Sequence, residues 1–159
     1  MTRRKAIITT PADRELRIER TFDASRDRVW RAFTDPVQVA QWWGRGNKIV
    51  VERMEVVRGG HWRYVEHGPE GTFGFEGRYR EVSPKDRIVR SFEWDGMPAH
   101  VAIEIQTFED LGGNRTKVVN TMQMHTPEER DGFLHSGMEE GMNACYAELD
   151  KLLARGEGA

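Results

Sequence analysis

The sequence predicts an α+β domain in which a curved antiparallel sheet wraps around a long C-terminal helix. Three observations carry that expectation: strand-length segments joined by short turns from Lys48 to His125, two short capped helices after the first strand, and a continuous apolar helical face near the C-terminus.

Leu16, Ile18, Arg20 and Phe22 recur at period two between Arg14 and Phe22, which is the pattern of a half-buried strand. Ser25 then supplies a hydroxyl N-cap for a short helix striped by Val29, Trp30 and Phe33. A second short helix starts at Asp35-Pro36, with a capping side chain, a proline where the missing N–H costs nothing, and Gln38 at the capping-box position. It carries Val37, Val39, Ala40 and Trp43, and Gly44 and Gly46 end it.

Strands are expected over Val50 to Val57, Trp62 to His67, Thr72 to Val82, Arg87 to Trp94, His100 to Phe108 and Arg115 to Met124. The turns between them contain Gly59-Gly60, Gly68-Pro69-Glu70-Gly71, Ser83-Pro84-Lys85-Asp86, Asp95-Gly96 and Gly112-Gly113-Asn114, so the strands form an antiparallel meander. Such a sheet covers one face and leaves the other wet. The cover follows Thr126-Pro127-Glu128-Glu129: Leu134, Met138, Met142, Cys145, Leu149 and Leu152 define one helix with an apolar face of about five turns.

A chain of 159 residues suits a single domain spanning 1–159, with Gly156-Glu157-Gly158-Ala159 as a frayed tail. Lys plus Arg is 24 and Asp plus Glu is 26, a net charge of −2, which argues against binding to nucleic acid. The single cysteine excludes an intrachain disulfide and any Cys-based zinc cage. A reducing cytoplasm is the expected setting. The apolar run Ala6-Ile7-Ile8 is too short for a signal core, and no segment approaches the roughly 20 apolar residues of a membrane span.

Chemistry-bearing motifs are sparse. The histidines show no His-x-x-x-His or Glu-x-x-His pair on a helix, so no metal and no cofactor is expected. No Gly-x-Ser-x-Gly, Walker loop or Gly-x-Gly-x-x-Gly occurs. The hairpin around Gly68 to Gly71 is expected to place Trp62 opposite Arg78 and Tyr64 opposite Glu76. His61, Arg63, Val65, His67, Phe73, Phe75 and Tyr79 then fall on the other face. Glu76 and Arg78 are either a paired acid and base in an aromatic pocket or a solvated cross-strand ion pair.

On the last strand Val118, Asn120, Met122 and Met124 share the inward parity, so Asn120 needs a core partner or a ligand's polar group. Gly137 and Gly141 each cost a helix roughly 1 kcal/mol relative to Ala. They allow close packing, or they leave a cavity walled by Met138 and Met142. Cys145, on the same face, reads as a small hydrophobe. For Trp42-Trp43 the expectation is that Trp43 anchors the helix while Trp42 lines a pocket rim.

These residues resemble a known family. Phe22-Asp23-Ala24-Ser25, Val29 to Pro36, Gln41-Trp42-Trp43-Gly44, Gly59-Gly60-His61-Trp62-Arg63-Tyr64, Glu76 to Val82 and Glu140-Gly141-Met142-Asn143 are similar to bacterial homologues of the heat-shock protein 90 ATPase activator C-terminal domain. Those homologues belong to the START-like, or SRPBCC, superfamily, and the likeness runs from about residue 15 to 153. It implies a helix-grip fold of six or seven strands curled around the terminal helix, with a deep apolar cavity between them. The function expected is binding of a small hydrophobic or aromatic molecule by Trp42, Trp62, Tyr64, Glu76, Arg78, Val118, Asn120, Met122, Met138, Gly141, Met142 and Cys145, without catalysis. Two alternatives stand beside it: a cyclase- or dehydratase-like enzyme with Glu76 as general base and Arg78 on an oxyanion, and a chaperone-associated interaction module, by fold analogy alone. A monomer or a homodimer, with no membrane contact, fits the chain.

Overall fold

The computed structural model describes residues 5–155; the expected C-terminal fraying lies outside the described residues. Its strands are β1 (Ile7–Ala12), β2 (Glu15–Phe22), β3 (Lys48–Met54), β4 (His61–Gly68), β5 (Gly71–Ser83), β6 (Arg87–Trp94), β7 (Ala102–Gly112) and β8 (Arg115–Gln123). Its helices are α1 (Arg26–Thr34), α2 (Pro36–Trp42), α3 (Pro127–Leu134) and α4 (Met138–Ala154). The strands form one open antiparallel sheet in the order β1-β2-β8-β7-β6-β5-β4-β3.

The sheet has eight strands where six or seven are expected, because β1 adds an edge along β2. β1 carries no clean alternation and buries no residue of its own, so period two could not reveal it. β2 is the opposite case: Leu16, Ile18, Arg20 and Phe22 are all buried, in strict alternation. Arg20 is tolerated there because both of its terminal nitrogens reach Asp150 of α4, at 3.0 and 2.5 Å.

Capping fixes the two short helices as expected. The Ser25 hydroxyl accepts from the Arg28 backbone N–H at 3.2 Å, and the Asp35 carboxylate accepts from that of Val37 at 2.9 Å. Gln38 bonds the Asp35 side chain at 3.3 Å rather than its backbone. Between them, α1 and α2 place Phe33 against Phe108 and Trp42, with ring centroids 5.2 and 4.8 Å apart.

The single C-terminal helix expected from the apolar spacing is two helices. Gly137 adopts φ +86°, a left-handed conformation that an α-helix cannot continue through, so α3 ends before it and α4 begins after it. Gly137 therefore serves backbone geometry rather than a cavity. At Gly141 a Cβ would meet only Cδ of Arg45, at 3.4 Å, an ordinary contact, so packing does not require glycine there. In α4 the C-terminal half is the buried part, through Tyr146, Leu149, Leu152 and Leu153. Tyr146 meets Phe22 edge to face at 5.1 Å.

Candidate site between the sheet and the start of α4

The hairpin register decides which side chains enter the interior. Gly68 pairs with Gly71, which places Arg63 opposite Glu76, Tyr64 opposite Phe75 and Trp62 opposite Gly77. This is one residue from the register expected, and one residue exchanges the faces of one strand relative to the other. The two glycines close the hairpin with only Pro69-Glu70 in the loop.

Trp62 and Tyr64 consequently share the inner face with Phe73 and Phe75, while Glu76 and Arg78 are turned to the outer face. Glu76 accepts from Arg63 at 2.7 Å, and Arg63 also reaches Glu52 at 3.0 Å and Asp95 at 2.7 Å. The expectation of Glu76 and Arg78 beside Trp62 is thus corrected. Hydrogen bonding to Arg63 holds the Asp95 carboxyl below its ordinary range.

A second correction concerns Trp42-Trp43. Trp42 is the anchor, buried with its indole N–H donating to the Ala32 carbonyl at 2.9 Å. Trp43 is half-buried and takes the rim, 5.2 Å from the Tyr64 ring and 4.8 Å from that of Phe75. Two residues adjacent on a helix face directions about 100° apart, so one of the pair had to leave the core, and the sequence does not say which.

Under this rim lies a buried polar network. Arg90 Nε donates to Glu104 Oε1 at 2.6 Å, Arg90 Nη1 donates to the Tyr64 hydroxyl at 3.2 Å, and Asn120 Nδ2 donates to Glu104 Oε2 at 2.8 Å. The Arg90 guanidinium also lies 3.9 Å from the Trp62 ring centroid. Burial alone would lower the Arg90 pKa, but Glu104 and the surrounding tyrosines hold it above its ordinary value. Asn120 is 3% exposed, and its Oδ1 has no hydrogen-bond partner.

Val118, Asn120 and Met122 face inward as their parity requires. Asn120 has the core partner expected of it, Glu104, but with only half of its amide. The network's charged pair was not singled out from the sequence. It was nevertheless visible there, because Arg90 shares parity with Ile88 and Phe92, and Glu104 with Ala102 and Phe108. A charge at an inward position flanked by apolar residues must be paired.

Half-buried side chains pack against the core nearby: Phe75 and Phe92 from the sheet, Trp43 from the end of α2, and Met138, Met142 and Cys145 from α4. Beside them Glu66, buried, accepts from Arg45 Nη2 and Asn47 Nδ2, each at 2.7 Å. The candidate site is this half-buried cluster of aromatic and sulfur-bearing side chains packed on the core. A depression of about 670 Å³ lies elsewhere, among outward-facing Glu15, Ile103 and Gln123 and the β1–β2 turn. Another, of about 400 Å³, lies by the start of α1. Among the described residues no group of three His, Cys, Asp or Glu side chains could hold a metal, and no helix is long and apolar enough to cross a membrane.

Cys145 donates to the Trp43 carbonyl at 2.8 Å, and burial pushes its thiol up to about 12. Burial raises the Tyr79 and Tyr146 hydroxyls as well. All three groups are neutral in the fold, while the unfolded chain ionises cysteine near 9.0 and tyrosine near 10.0. The unfolded state therefore loses protons first. Their contribution is complete below about pH 9 and falls as pH rises toward 12. The urea midpoint is expected to drop between about pH 8 and pH 10.5, and a constant midpoint would contradict this assignment.

An open antiparallel sheet with a C-terminal helix packed on its inner face defines a START-like domain. The chain belongs to the family of Activator of Hsp90 ATPase homolog 1-like proteins, whose model matches residues 23–154. It is similar to a crystal structure of a protein from Rhodobacter sphaeroides, at 29% identity and TM-score 0.87, covering 96% of this chain and 100% of that one. A solution structure from Arthrobacter aurescens follows at 24% identity and TM-score 0.84, covering 95% and 92%. A crystal structure from Mycobacterium smegmatis has 22% identity and TM-score 0.82, covering 94% and 97%. The last two likenesses concern the fold alone. None of the curated proteins matches the chain.

Proposed function

We propose that this protein is a binding module for a small apolar or aromatic molecule, taken up between the sheet and the N-terminal part of α4. One observation carries the reading: Trp43, Phe75, Phe92, Met138 and Met142 are all left half-buried against the core, and Asn120 Oδ1 inside that core has no hydrogen-bond partner. A purely structural core buries its rings and satisfies its amides. The two methionines are unbranched and polarizable, so they can swing aside for a guest and close over it. A general-base role for Glu76 requires a carboxylate at the inner face, and the Arg63–Glu76 pair lies on the opposite face of the sheet.

Titration with N-phenyl-1-naphthylamine, a neutral dye that brightens in apolar surroundings, tests this. A saturable rise in emission is expected, and Met142→Arg should weaken it at least about tenfold by placing a charge among the apolar side chains of the proposed site. A flat titration with the wild-type protein would refute the reading.

A further inference from the structure

We infer that the free edge of β3 pairs with the same edge of a second copy of this chain, giving a two-fold dimer in which the two sheets continue into one another. β3 is the last strand of the sheet, with β4 as its only strand neighbour. Along such a strand the backbone groups point alternately to the neighbour and to the open side. The Tyr79 N–H donates to the Gly60 carbonyl at 2.9 Å and the Glu55 N–H to that of His61 at 3.0 Å, so even-numbered residues along β4 bond β5 and odd-numbered ones bond β3. His67 and Val65 face Lys48 and Val50. The N–H and C=O groups of Ile49 and Val51 are therefore the ones turned to the open side.

Antiparallel self-pairing must join residues of that outward set, and the side chains select one register. Ile49 opposite Val51 of the second copy centres the two-fold axis on Val50, which is 37% exposed on the outer face and then meets its own counterpart. Each Lys48 lies opposite a Glu52, so the dimer gains two ion pairs. Both side chains are exposed; Glu52 uses Oε1 to accept from Arg63 at 3.0 Å, and Lys48 makes no ion pair among the described residues. Ile49 on Ile49 would instead set Lys48 against Val50, and Val51 on Val51 would set Glu52 against Val50. The bulge between Val51 and Arg53 ends the pairing after Glu52. A lysine and a bulge blunt an edge against strands in general, and they leave residues 48–52 open to a strand that brings an acid to each lysine.

Sedimentation velocity of the wild-type chain from micromolar to near-millimolar concentration is expected to show the mass rising from 18.4 kDa toward twice that value. Lys48→Glu and Glu52→Lys should each weaken self-association at least about tenfold by setting like charges opposite one another. An equimolar mixture of the two variants should associate again, since every basic side chain then faces an acidic one. In the wild-type chain, amide hydrogen exchange at Ile49 and Val51 should slow as concentration rises, with little change at Lys48 and Val50, whose amides already bond β4. A chain that stays monomeric throughout, a dimer indifferent to both charge reversals, a mixture that fails to associate, or a dimer without slower exchange at Ile49 and Val51 would each overturn the assignment.

Discussion

Glu104→Leu is expected to destabilise the protein by about 3–5 kcal/mol, the usual result of removing one partner from a buried ion pair. The loss has identifiable parts. Arg90 keeps its charge in the interior with only neutral partners, the tyrosine hydroxyls and the Trp62 ring, to face it, and Asn120 Nδ2 loses its acceptor. The charge cannot be shed, because an arginine does not deprotonate at accessible pH. Denaturant unfolding measures the effect. The double variant Arg90→Met/Glu104→Leu should recover most of the loss, since an apolar pair of similar size carries no desolvation penalty. If the double variant is as unstable as the single one, the Arg90–Glu104 pair is not the source of the cost.

Trp62→Ala is expected to cost a similar amount, about 3–5 kcal/mol. The ring is fully buried and packs on Tyr64 and Phe92, at centroid distances of 4.8 and 5.9 Å. It also donates its indole N–H to the Ser91 carbonyl at 3.1 Å and covers Arg90. Little can collapse into the vacated space, because the opposite residue on β5 is Gly77, which contributes no side chain. Gly77 is itself explained by this arrangement: a Cβ there would fall 1.9 Å from the Ser91 carbonyl oxygen and 2.8 Å from Trp62 Nε1. Trp62→Phe keeps a ring over Arg90 and should lose much less. Equal losses for the two variants would show that the indole hydrogen bond, and not the ring, dominates.

The architecture was legible wherever a local rule had only one reading. The β2 alternation, the Ser25 and Asp35 caps and the turn glycines each specify one conformation, and together they order the strands and the first two helices. Legibility failed where two arrangements satisfied the same pattern. The loop between Gly68 and Gly71 permits pairings one residue apart, and that single step decides whether Glu76 or Phe75 lies beside Tyr64. The spacing Leu134, Met138, Met142 is helical on either side of residue 137, so periodicity could not show that Gly137 has left the helical region. At the candidate site, the inward set on β8 was readable from parity. For Arg90 and Glu104 parity shows each charge turned inward, but they lie on neighbouring strands, so no local window names the partner.

The break at Gly137 bears on how a guest could come and go. The first turn of α4 has no helix continuing upstream and no side-chain cap on its leading amides. It can therefore unwind by itself, at a small fraction of the free energy that holds Tyr146, Leu149 and Leu152 in place. Met138 rides on that turn and Met142 begins the next, so a guest of the proposed kind would pass by local fraying while the rest of the molecule stays folded.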